Sequence, residues 1–137
     1  MGRLLAIDYG TKRMGIAVTD PLQIIATSLT TIHPKEAIDF FTKYFTDEVV
    51  DQVIFGEPKQ LDGTPSESNV PLKAFINLFR KKFPNMKIAM MDERYTSRMA
   101  LNAMIDAGVK KNQRRDKGLI DRTAAVIILQ SYMESKS

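Results

Sequence analysis

The sequence predicts an α/β fold, a five-stranded mixed sheet flanked by helices and built as a single domain over residues 1–137. Three observations predict it. Apolar runs of strand length, such as Leu4-Leu5-Ala6-Ile7 and Ile88-Ala89-Met90-Met91, alternate with segments whose apolar residues recur at helical spacing. The element order β-β-β-α-β-α-β-α-α suits an antiparallel meander that continues through right-handed crossovers. A chain of 137 residues with 44% hydrophobic content can bury one core of several strands and helices, and a second domain is not expected.

Residues 4–8 read as a strand, Gly10-Thr11-Lys12-Arg13 as a turn, and residues 14–18 as a second strand, together a hairpin. The Asp20-Pro21 turn leads to a third strand at residues 28–32, rich in β-branched side chains. From Lys35 onward Ala37, Ile38, Phe41, Tyr44 and Phe45 mark one face of a helix, and residues 49–55 form the fourth strand. Gly56-Glu57-Pro58 ends that strand, and residues 58–66 make a mobile rim. A helix start near Ser66 or Ser68 opens a second helix carrying Leu72, Phe75, Ile76 and Phe79, until Phe83-Pro84-Asn85 stops it. Residues 86–91 are the fifth strand, residues 96–107 a helix closed by Gly108, and residues 117–133 the last helix. The first, fourth and fifth strands are apolar almost throughout, as strands covered by helices on both faces are. Met90, Met91, Met99 and Met104 read as core filler.

Composition removes several chemistries. Cysteine is absent, which excludes disulfides, thiolate zinc sites and cysteine nucleophiles. His33 is the single histidine and precedes Pro34 at a strand-to-helix junction, so it reads as a loop residue. The amino terminus shows neither a signal peptide nor a membrane span, so the expected location is cytoplasmic, with no membrane partner. Net charge is +4, but residues 94–117 set seven basic side chains against Asp106 and Asp116, a local balance of +5. A concentrated basic segment favours a polyanionic partner, since a solvated surface usually mixes signs; a soluble loop is the alternative.

Three acids stand out, each at an element boundary. Asp8 closes the first strand, where a carboxylate is costly unless paired or metal-bound, and Gly10 beside it admits close approach of a phosphate; a turn-capping aspartate is the alternative. Asp92-Glu93-Arg94 follows the fifth strand, and alternation lets only one of the two acids face the site of Asp8; an ion pair within the triplet is the alternative. Asp121 begins a helix whose Ala124 and Ala125 let it lie close to the sheet, although an acid in a first helical turn is favourable through the dipole alone. Glu57 also follows an apolar strand and is a fourth candidate. Carboxylates gathered from separate elements repel unless cations intervene, which suits magnesium or another hard, oxygen-preferring ion.

Four ordered motifs carry a resemblance: Asp8-Tyr9-Gly10-Thr11-Lys12-Arg13, Gly56-x-Pro58 with Asp62-Gly63, Asp92-Glu93-Arg94-Tyr95-Thr96-Ser97, and Asp121-x-x-Ala124-Ala125. In these, end to end, the chain resembles the YqgF family of Holliday junction resolvases, also described as pre-16S rRNA nucleases, with a ribonuclease H-like fold. The resemblance implies that Asp8, Glu93 and Asp121 form the catalytic, metal-binding set for two Mg2+ or Mn2+ ions. It implies that Lys12, Arg13, Arg94, Arg98, Lys110, Lys111, Arg114, Arg115 and Lys117 neutralise phosphates of precursor rRNA or branched DNA. Glu57 stands where many relatives carry an apolar residue, and in other ribonuclease H-like resolvases an acid there is a metal ligand, so it competes with Glu93. The small ribosomal subunit is an implied partner, and monomer and homodimer both stay open. Two other readings are an ATPase phosphate loop at Asp8-x-Gly10-Thr11, which would need a second such domain, and a nucleic-acid-binding module without catalysis.

Overall fold

The computed structural model describes residues 2–57, 69–92 and 117–136, with the side chains of residues 117 and 118 left aside. Strand β1 (Arg3–Asp8) holds four buried apolar residues between two charged ends, and β2 (Met14–Thr19) folds back on it as the expected antiparallel hairpin. Strand β3 (Ala26–Ile32) completes the meander. A 3-10 turn (Pro34–Glu36) then leads into α1 (Ala37–Asp47), β4 (Val50–Glu57), α2 (Asn69–Lys82), β5 (Lys87–Asp92) and α3 (Lys117–Lys136). The sheet order is β3-β2-β1-β4-β5, with β4 parallel to both β1 and β5. This is the mixed α/β arrangement that the element order predicts. The expected helix at residues 96–107 and the rim at residues 58–66 lie outside the described residues.

Alternation along the strands divides the core between two faces. Leu5 and Ile7 of β1 join Met14, Ile16 and Val18 of β2 and Val53 and Phe55 of β4 beneath α1 and α2. Phe79 centres that side, its ring 4.9 Å from Phe83, 5.6 Å from Phe55 and 5.7 Å from Phe41. The opposite face carries smaller residues, Leu4, Ala6, Ala17 and Ile54, against Ala125, Ile128, Leu129 and Tyr132 of α3. Small side chains on the sheet let this helix lie close to it.

Two expectations about burial change. All six residues of β2 are buried because it lies between β1 and β3, whereas β5 is half exposed because it is the edge strand. Met90 is accordingly 40% exposed and is no core filler, while Met91 packs against the α3 core and Met99 and Met104 lie outside the described residues. His33 behaves as a loop residue: its Nδ1 accepts a 3.0 Å hydrogen bond from the Lys35 amide and caps the 3-10 turn. No helix among the described residues is long and apolar enough to cross a membrane.

Candidate active site

Asp8 is the last residue of β1, and alternation puts it on the face of Leu4 and Ala6, beneath α3. Across the hairpin it stands in register with Gly15 of β2. Gly15 is where α3 meets the sheet: a Cβ there would collide with the backbone carbonyl of Asp121 and come within 2.8 Å of the Arg122 nitrogen. A hydrogen in place of a side chain therefore lets the helix cross β2 directly beside Asp8. Ala124 and Ala125 are buried as expected, and two polar contacts fix the helix along its length. Arg122 Nη1 donates to Thr31 Oγ1 at 3.2 Å, and the Tyr132 hydroxyl donates to Gln52 Oε1 at 2.9 Å.

Residues 8–13 and Asp121 line a pocket of about 300 Å³. Within it Arg13 Nε donates to Asp121 Oδ2 at 2.9 Å, across 108 positions of sequence. The two side chains are 41% and 22% exposed, so solvent screens the pair, and it contributes at most about 1 kcal/mol to stability. Tyr9 turns the other way. Its ring lies 5.4 Å from Phe75, and burial pushes its hydroxyl pKa above 10.0, so it anchors the turn to the α2 side. Gly10 serves the turn itself, since a Cβ would stand 2.6 Å from the Arg13 carbonyl oxygen. Gly10 also lines the pocket beside Asp8.

The structure thus brings Asp8, Asp121, Lys12 and Arg13 to one place. Helix α3 starts at Lys117, as the expected 117–133 helix does, so Asp121 stands past its first turn and the helix-dipole explanation for the acid loses its force. Glu57 does not line this pocket. It shares the face of Val53 and Phe55 and lines a separate groove with Asn69 and Lys73 of α2. Asp92, in register with Glu57, falls on that same face with Ile88. Glu93, Arg94, Arg98, Lys110, Lys111, Arg114 and Arg115 lie outside the described residues, and of Lys117 only its place at the start of α3 is described. Among the described residues no three acidic, histidine or cysteine side chains are grouped to hold a metal ion. Sequence reading overlooked Gly15 and Tyr9. A glycine inside an otherwise apolar strand was the available signal for the first, since it marks close backbone approach.

A family model described as "RuvX: Holliday junction resolvase" matches residues 2–135. The chain belongs to the RuvX family. RuvX relatives named "Putative pre-16S rRNA nuclease" include a protein of Christiangramia forsetii, 53% identical over 133 residues, covering 97% of this chain and 98% of the relative. Another, from Flavobacterium johnsoniae, is 53% identical over 136 residues and covers 99% of both chains. A solved structure described as T. thermophilus RuvC in complex with Holliday junction substrate superposes with a TM-score of 0.59 at 12% identity, covering 99% of this chain and 96% of the other. At that identity the likeness concerns the ribonuclease H-like fold, which this RuvX chain shares.

Proposed function

We propose that this protein is a metal-dependent endonuclease that hydrolyses phosphodiester bonds in structured nucleic acid and matures the 5′ end of precursor 16S rRNA. One observation carries the reading: Asp8 and Asp121, from opposite ends of the chain, line one pocket with Lys12 and Arg13 in a member of the RuvX family. The donor set fits the ion that such chemistry uses, because carboxylate oxygens are the ligands that magnesium and manganese prefer. Asp8 and Asp121 supply two ligands, and Glu93 is assigned as the third, since Asp92 faces α2 instead. A bound Mg2+ or Mn2+ supplies Lewis acidity toward the scissile phosphate and a more acidic bound water.

The remaining roles belong to the chain itself. Arg13 holds Asp121 through Nε alone, and its guanidinium has further donors for a substrate phosphate. Lys12, exposed in the same pocket, adds a second cation. Arg94, Arg98, Lys110, Lys111, Arg114, Arg115 and Lys117 are assigned to the nucleic-acid backbone on either side, a sequence-independent contact that leaves selectivity to shape. Precursor rRNA would reach the enzyme with the small ribosomal subunit, and a monomer suffices for a single cut.

The family description favours a second reading, a resolvase acting on branched DNA, in which two copies cut symmetrically. Purified protein with Mg2+ or Mn2+, offered precursor 16S rRNA and a four-way DNA junction, decides between them. Cleavage of the RNA is expected, with Asp8→Asn and Asp121→Asn each slowing it at least about a hundredfold. Cutting of the junction alone selects the second reading. Failure to cut either substrate, or wild-type rates in both variants, would refute the nuclease assignment.

A further inference from the structure

Arg122 follows Asp121 on α3 but does not line its pocket. It reaches instead to the edge strand, where Nη1 donates to Thr31 Oγ1 at 3.2 Å. Register places that contact. Asp8 stands opposite Gly15, and Gly15 opposite Thr31, so the three form one row across β1, β2 and β3 on the face that α3 covers. Two strand spacings set Thr31 about 10 Å from Asp8, at the end of the sheet that holds the pocket. Arg122 is half-buried, and neither ion pair found among the described residues includes it. The nearest carboxylate in sequence, Asp121, is engaged by Arg13. A bond to a hydroxyl needs no charge, and partial burial of an uncompensated cation is costly, so an uncharged donor would anchor the helix with less desolvation. A cation kept in such a place is suited to an anion that arrives from outside.

We infer that Arg122 clamps a backbone phosphate about one or two nucleotides from the cleaved bond, so that the substrate strand leaves the pocket along the end of the sheet, past β2 toward β3. The inference rests on the nuclease reading and deepens it by giving the strand a direction. Thr31 engages Nη1, which fixes the plane of the guanidinium and leaves Nε and Nη2 as a parallel pair of donors for two phosphate oxygens. Distance agrees, because about 10 Å along the row is the reach of one or two nucleotides of extended backbone. Charge agrees as well. Strand β3 carries no acid between Ala26 and Ile32, so nothing along it repels a phosphate. Arg13 and Arg122 then stand on either side of Asp121, the first for the phosphate at the pocket and the second for one farther along.

Binding of a fluorescein-labelled RNA hairpin to the full-length protein, followed by anisotropy over a range of salt and without divalent ions so that nothing is cut, tests this. Arg122→Gln is expected to weaken binding about five- to tenfold at about 0.1 M salt and to lower the slope of log affinity against log salt by about one. Arg122→Lys should keep the slope, because the charge remains, while losing part of the affinity with the fork. In cleavage with Mg2+ the loss in Arg122→Gln should appear in KM rather than in kcat. A purely structural bond to Thr31 would leave the salt slope where it is. A wild-type slope in Arg122→Gln, a slope in Arg122→Lys as low as in Arg122→Gln, or a fall in kcat at unchanged KM would overturn the inference. A lowered slope in a protein that cuts neither RNA nor branched DNA sustains the clamp and removes the nuclease reading. Cleavage with an unaltered slope removes the clamp and leaves the nuclease reading intact.

Discussion

Arg13 and Asp121 share one hydrogen bond of 2.9 Å, and its meaning depends on which property is asked of it. As a partly exposed ion pair it adds little to stability, but as a cation held at the mouth of an acidic pocket it is placed to meet a phosphate. Arg13→Gln should therefore change the unfolding free energy by less than about 1 kcal/mol while raising KM for the nucleic acid several-fold. A denaturation curve and a cleavage titration on the same sample check both parts. Asp20 acts differently, on the β2–β3 loop. Its Oδ1 accepts from the amides of Ile25 and Ile24 at 2.8 Å each, and Oδ2 accepts from Leu22 at 3.1 Å. Those bonds, that from Ile25 foremost, hold its pKa below the ordinary 3.8. A lowered carboxylate pKa means that the unfolded chain binds the proton more readily, so this contribution is present above pH 3.8 and disappears as pH falls through the folded value. Carboxyl NMR titration should place Asp20 below 3.8, and a midpoint at or above it would contradict the loop's hydrogen bonding.

At the scale of elements, the hinge of the account is the crossing of α3 over β2. Gly15 permits it, and no rearrangement of a flexible side chain could make room for a methyl group there, because the obstructing atoms are backbone. Gly15→Ala should cost about 1–3 kcal/mol in stability and, by displacing Asp121 from Asp8, slow cleavage about a hundredfold. Unfolding and rate measurements on that variant check the claim, and an unaltered rate would separate the helix position from the chemistry. Strands and helices were legible where apolar spacing was regular, as in β1 with Leu4 to Ile7 or α2 with Leu72, Phe75, Ile76 and Phe79. Sheet order was less so. A run such as Ile88-Ala89-Met90-Met91 looks alike in a central and an edge strand, because the neighbours that decide burial come from elsewhere in the chain. Asp8 could be picked out because a charge at the end of an apolar run is conspicuous. The facing of Glu57 could not, since it depends on how far β4 continues past Phe55 and hence on the parity of the strand.

Across the whole molecule, one sheet serves two unlike faces. Aromatic rings beneath α1 and α2 build the larger core, while alanines beneath α3 let a helix approach until two carboxylates from distant parts of the chain line one pocket. Acids close β1, β4 and β5 at Asp8, Glu57 and Asp92, and in the sequence the whole positive excess falls in residues 94–117, the remainder summing to −1. Membership of the RuvX family joins this arrangement to relatives named for rRNA processing, and the fold joins it to RuvC. The central claim is that the carboxylates at the sheet edge hold divalent ions. Anomalous diffraction from crystals soaked in manganese tests it most directly. The account predicts a manganese peak within about 2–2.5 Å of oxygens from both Asp8 and Asp121, with Glu93 as a further ligand. Manganese bound elsewhere, or none at this pocket, would contradict it.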